Sequence, residues 1–139
     1  MPTTPHRNPD KRTGVYSSLC FNTRTLACLT EYYIIFYVNG RKIVPLNIAD
    51  WLTPIALAYW IIDDGGKNTY RQTVLSTHPY TYAEIELLQA ALAKNFKLRS
   101  RISRKRPGQW DLIIPVRQIV PLKDIVGPYM HPSIKYKII

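Results

Sequence analysis

A chain of 139 residues, 46% of them hydrophobic, is long enough for one packed domain and too apolar for a disordered tail. Its formal charge of +10 makes a polyanion the first partner to consider, because Lys and Arg neutralising phosphates supply most non-specific nucleic-acid binding. An anionic membrane surface comes second, but no apolar run reaches the roughly 18 residues of a membrane-spanning helix and no membrane partner is expected, and Cys20 and Cys28, without histidines at metal spacing, read as buried free thiols of a reducing compartment.

Residues 1–14 are rich in proline, threonine and basic side chains without hydrophobic period, and read as a flexible basic arm. Residues 15–23 set Tyr16, Leu19 and Phe21 among small polar residues, as in a strand. Residues 26–36 space Leu26, Leu29, Tyr33 and Phe36 as a helix does. After the Asn39-Gly40 turn, the chain leads through Leu46 and Leu52 to Thr53, a good N-cap, and Pro54, suited to a first helical position. A helix of about ten residues is predicted to start here and to end on Gly65 and Gly66 in the left-handed conformation. Between Ile55 and Ile62 it carries no charge on any face, which predicts burial between two layers. Asp63 and Asp64 follow at its C-terminal end, where the helix dipole disfavours an acid by about 0.3–1 kcal/mol. Such a choice marks either a solvated helix end or a functional demand such as a bound cation.

Residues 67–71 read as a polar loop carrying Lys67 and Arg71, and residues 72–77 as a strand. Thr81 and Glu84 form a capping box that opens a helix with Ile85, Leu88, Leu92 and Phe96 on its apolar face. Residues 97–103 alternate, with Leu98, Ser100 and Ile102 facing one way and Arg99, Arg101 and Ser103 the other. A turn at Pro107-Gly108 returns the chain as a partner strand over residues 110–114, making a ribbon whose basic face suits a major groove. The nucleic-acid contacts expected are Lys67, Arg71, Arg99, Arg101, Arg104, Lys105, Arg106 and Lys135. Residues 121–126 form a short last helix ended by Gly127-Pro128, and the scattered His6, His78 and His131 carry no expected catalytic role.

The nonapeptide LAYWIIDDG, residues 57–65, lies in register with the motif of the LAGLIDADG homing endonucleases. With Leu52-Thr53-Pro54, Val74-Leu75-Ser76-Thr77, Pro128-Tyr129-Met130 and Tyr136-Lys137, the chain from about residue 26 onward resembles the second half of a two-motif member. The resemblance implies an α+β fold ordered helix, two strands, helix, two strands, helix, with a curved antiparallel sheet and motif helices packed between two halves. It implies that Asp64 is a metal-binding carboxylate, with Mg²⁺ the expected ion, and that Lys137 is the family's basic active-site residue. A carboxylate-held Mg²⁺ can polarise a phosphodiester while a lysine neutralises the developing charge, so the chemistry agrees. Asp63 is assigned no direct role. Small residues such as Ala58 would let motif helices approach, so Ala58, Ile62 and Ile55 are the expected interface. The domain reading is a basic arm at 1–14, a strand-helix remnant of a first half at 15–45 and the LAGLIDADG domain at 46–139. A single motif calls for a second half or a large ribonucleoprotein as partner. Two functions follow: half of a metal-dependent DNA endonuclease, or a non-catalytic module for structured RNA, such as an intron maturase or a component of an organellar ribosome. Either belongs in a mitochondrial or other organellar matrix.

Overall fold

The computed structural model describes residues 6–8, 16–18, 22 and 24–139. The chain divides into two compact units, Met1–Ile34 and Ile35–Ile139. In the first, β1 (His6–Asn8) pairs antiparallel with β2 (Tyr16–Ser18). β1 falls within the stretch read as a flexible arm, and the rest of residues 1–14 lie outside the described residues, as does Cys20. A 3₁₀ turn at Ala27–Leu29, which buries none of its residues, leads into α1 (Thr30–Phe36). Cys28 is therefore an exposed free thiol, not the buried one expected.

The second unit opens with a hairpin of β3 (Tyr37–Val38) and β4 (Arg41–Lys42). Its two central residues, Asn39 at φ 50° and Gly40 at φ 75°, both take the left-handed conformation that a two-residue hairpin turn requires. Then follow α2 (Ile48–Trp51), α3 (Pro54–Asp64), β5 (Gly65–Lys67), β6 (Thr73–Ser76), α4 (Tyr82–Phe96), β7 (Arg101–Arg106), β8 (Gln109–Ile114) and α5 (Ile119–Val126), with 3₁₀ turns at Gly127–Tyr129 and Pro132–Ile138. The four later strands form one antiparallel sheet in the order β5-β6-β8-β7. Strand alternation sends Leu75, Leu112 and Ile114 to one face, where they join Leu57, Ala58 and Ile61 of α3, Ile85 and Leu92 of α4, and Leu122 and Val126 of α5 in a single core. The other face of the sheet is left open. No helix among the described residues is long and apolar enough to cross a membrane.

α4 starts where its capping box predicts, with both reciprocal bonds formed between Thr81 and Glu84. Glu84 also ion-pairs with Arg41 at 2.8 Å and accepts the Val44 N–H at 2.8 Å, fastening the segment after β4 to α4. Burial alone would raise the Glu84 carboxyl, but the bonds from Val44, Thr81 and Arg41 outweigh it and hold it below its ordinary value. The stability it confers is thus fully present above the ordinary value of 4.5 and is lost as pH falls through the lower folded value. Glu84→Gln should cost about 1.5–3 kcal/mol at neutral pH, and urea titrations should show the difference from the parent shrinking in acid.

Three local expectations fail for identifiable reasons. Gly65 is extended, at φ −83° and ψ 151°, and Gly65 to Lys67 form a strand rather than a left-handed stop and a loop. What requires glycine at position 65 is proximity, since a Cβ there would lie 2.4 Å from the Ile61 carbonyl oxygen. β7 starts at Arg101, not Lys97, because Lys97 turns left-handed at φ 56° and donates its N–H back to α4 as a C-cap.

Candidate catalytic end and nucleic-acid face

Thr53 caps α3 by accepting the Ala56 N–H at 3.1 Å, and Pro54 occupies its first turn. Residues four apart share a side, so Leu57, Ala58 and Ile61 go to the core. The opposite side carries Ile55, 49% exposed, and Tyr59, 61% exposed, with Ile62 half-buried. The helix is therefore covered on one side only, and Ala58, fully buried, does not lie on the open side where it was expected. Tyr59 takes that place.

The exposed Asp64 ends α3. The Lys137 ammonium, from the C-terminal 3₁₀ turn, reaches the same end and donates to the Ile62 carbonyl at 2.6 Å across 75 residues of sequence. A cation at the carbonyl end of a helix is favourable, and this one offsets the two carboxylates there. The buried Thr73 hydroxyl donates to the Lys137 carbonyl at 2.8 Å and anchors its backbone to β6. A third group was missed in the sequence. Lys42 of β4 shares a cavity of about 230 Å³ with Asp64 and Tyr80, walled in part by Trp51 and Trp60. Burial would lower the Lys42 amine, but the Tyr80 phenol, Tyr37 and the Asp64 carboxylate together raise it. Only its place beside a turn marked it in the sequence, because its partners lie far along the chain.

Strand register builds the open face of the sheet. Gly66, Val74, Ile113 and Arg101 form one row, and Ser76, Asp111 and Ser103 the next. A groove of about 420 Å³ runs from Asp64 across this face past Lys67 and Lys105. Lys67 stands opposite the buried Thr73, on the core side of β5, and lines the groove at its edge; its amine donates to the Arg71 carbonyl at 3.0 Å, and burial, then the Arg71 charge, lowers it. Arg71 sits left-handed at φ 62° in the β5–β6 turn, where the Asn68 carboxamide oxygen accepts the N–H groups of Tyr70 and Gln72 at 3.0 Å each. Arg101 donates to the Gln72 side chain at 3.3 Å, which ties β7 to that turn.

The other expected contacts divide. The unbroken register from Arg101 onward puts Arg104 opposite Trp110, which packs edge-on against Tyr82 of α4 at 5.5 Å, so Arg104 points to the helix side. Arg106 pairs with Gln109 at the hairpin end. Arg99 precedes β7, its N–H held by the Gln118 side chain at 3.2 Å. Lys135 lines a different groove, with Val120 and Asp124 of α5. Sequence reasoning also missed a bond of 2.7 Å between His78 Nε2 and Asp111 Oδ1 on the open face, joining positions 33 residues apart.

The model of the LAGLIDADG DNA endonuclease family matches residues 1–120. The chain belongs to this family. The α+β fold anticipated from the nonapeptide is thus borne out, and the solved structure of the homing endonuclease I-WcaI bound to its DNA recognition sequence matches at TM-score 0.86 and 25% identity, over 100% of this chain and 64% of that one. Among the relatives, the cytochrome b mRNA maturase bI2 of Debaryomyces hansenii is 33% identical over 119 residues, 85% of this chain and 45% of the relative. The intron-encoded endonuclease ai4 of Dictyostelium discoideum is 34% identical over 120 residues, 85% of this chain and 75% of the relative. The chain spans less than half the length of the two bI2 maturases it matches, 45% and 32%.

Proposed function

We propose that this chain is half of a LAGLIDADG homing endonuclease, which hydrolyses phosphodiesters at a long duplex site once a second half covers the open side of α3. The observation that carries this reading is Lys137 bound to the Ile62 carbonyl at the helix end that Asp64 closes, with Asp64 lining a groove edged by Lys67 and Lys105. Among the described residues no three His, Cys, Asp or Glu side chains cluster as a metal site. Asp64 alone fits Mg²⁺ nonetheless, since that ion commonly takes one or two protein carboxylates and fills its remaining positions with phosphate oxygens and water. Bound there, Mg²⁺ would supply Lewis-acid polarisation of the phosphate and an activated water. Lys137, already at the helix end, neutralises negative charge building on the scissile phosphate. Arg101, Lys67 and Lys105 grip the flanking phosphates, while the row between them meets base edges. The name of the I-WcaI structure, with its bound DNA recognition sequence, supports duplex DNA as the substrate. The names of the relatives, cytochrome b mRNA maturases and intron-encoded endonucleases, support a mitochondrial or other organellar matrix.

A second reading, in which the same face holds structured RNA without cleaving it, is supported by the maturase relatives at 33% and 30% identity. Both readings need phosphate contacts, so binding is the first experiment. If about four cations contact phosphates, affinity for duplex DNA should fall about a hundredfold between roughly 50 and 200 mM salt. Arg101→Ala should weaken binding and lower the magnitude of the salt slope by about one. Affinity that is flat across this range overturns the electrostatic reading, and binding confined to structured RNA favours the second function.

A further inference from the structure

Asp111 is out of place on a face that meets phosphates. It stands in the inner strand β8, between Ser76 of β6 and Ser103 of β7 in direct register, and lines the same groove as Lys67 and Lys105. Only 8% of it is exposed, and His78 Nε2 fixes Oδ1 at 2.7 Å. A carboxylate so held repels phosphate and weakens general affinity for nucleic acid. His78 accounts for Oδ1 alone, and a hydrogen-bond donor that arrives with the ligand would give the second carboxylate oxygen a partner on this face.

The donors that a duplex presents in its major groove are exocyclic amines, and an ionised carboxylate offers acceptors alone. That chemistry suits cytosine, whose edge presents its N4 amine, whereas adenine pairs best with groups that both donate and accept. Resting on the DNA reading above, we propose that Asp111, positioned by His78, is a specificity-determining residue that accepts a hydrogen bond from the N4 amine of a cytosine. Ser76 and Ser103 on either side adapt to donor or acceptor and so tolerate more bases. Arg101 and Lys105 supply the neighbouring phosphate contacts that bring the base edge within reach.

The test is selection from a randomised duplex library by the assembled chain and by its Asp111→Asn variant. Asparagine keeps an acceptor for His78 and hardly changes volume, so circular dichroism should show the same unfolding midpoint. It also adds a donor, which suits adenine N6 and N7. The parent should enrich cytosine at one position, and the variant should disfavour cytosine there by about tenfold and shift toward adenine, leaving other positions unchanged. His78→Ala, which releases Asp111, should relax that same position and provides the reading should Asp111→Asn fail to fold. Identical base profiles for parent and variants overturn this inference alone and leave the pair as a pin for the loop after β6. A library that neither protein enriches overturns the DNA reading and this inference with it.

Discussion

Asp64→Asn should abolish strand cleavage and leave duplex binding intact. The substitution removes a charge but little volume, and the site is exposed, so nothing in the core is disturbed. Loss of one preorganised electrostatic group at a reacting phosphate costs about two to three orders of magnitude in rate, and loss of the carboxylate that would hold the metal costs more. Stability should move little or rise. An acid at the C-terminal end of α3 opposes the helix dipole, so removing it should gain about 0.3–1 kcal/mol, offset in part by the lost attraction to Lys42. Inactivity with unimpaired stability would mark a group retained for chemistry at the expense of its helix. The checks are a plasmid-linearisation assay and a thermal melt on the same preparation, and Mg²⁺-dependent cutting by the variant within about tenfold of the parent's rate would contradict the role.

Ala58→Glu should unfold the second unit. The side chain is fully buried between α3 and the rest of the core, with no cation described beside it. An uncompensated buried charge costs about 3–5 kcal/mol, and the added volume costs more, against a total stability of about 5–15 kcal/mol for a domain. Far-UV circular dichroism should show no cooperative transition in Ala58→Glu. Tyr59→Glu, one residue on and on the open side, should melt close to the parent and lose any self-association. A well-folded Ala58→Glu would place the open side of α3 where the sequence first suggested it.

The contrast between positions 58 and 59 shows how far the sequence reaches. Helix starts were legible because their causes are local: Thr53 and Pro54 open α3, and the Thr81–Glu84 box opens α4. Which side of an all-apolar helix is covered depends on elements distant in sequence, and hydrophobicity alone could not separate Ala58 from Tyr59. β5 escaped notice because Gly-Gly-Lys has no strand preference of its own and is extended only by pairing with β6. The side of Arg104 follows from continuing the alternation of Leu98, Ser100 and Ile102, whereas the sides of Lys105 and Arg106 do not, since an irregularity between Arg104 and Arg106 interrupts the period of two. Asp64 and Lys137 were found through the resemblance of their flanking residues. The Lys42–Tyr80 contact and the His78–Asp111 bond join remote positions through no local pattern, and only the folded chain brings them together.

Cleavage at the Asp64 end of α3 is tested most directly by sequencing the DNA ends left when the assembled chain meets a library of long random duplexes in Mg²⁺. Ends should cluster on one recurring long site, and they should vanish with a chelator or with Asp64→Asn. Ends that persist under either condition, or an assembled chain that binds duplexes and produces none, would contradict the endonuclease reading.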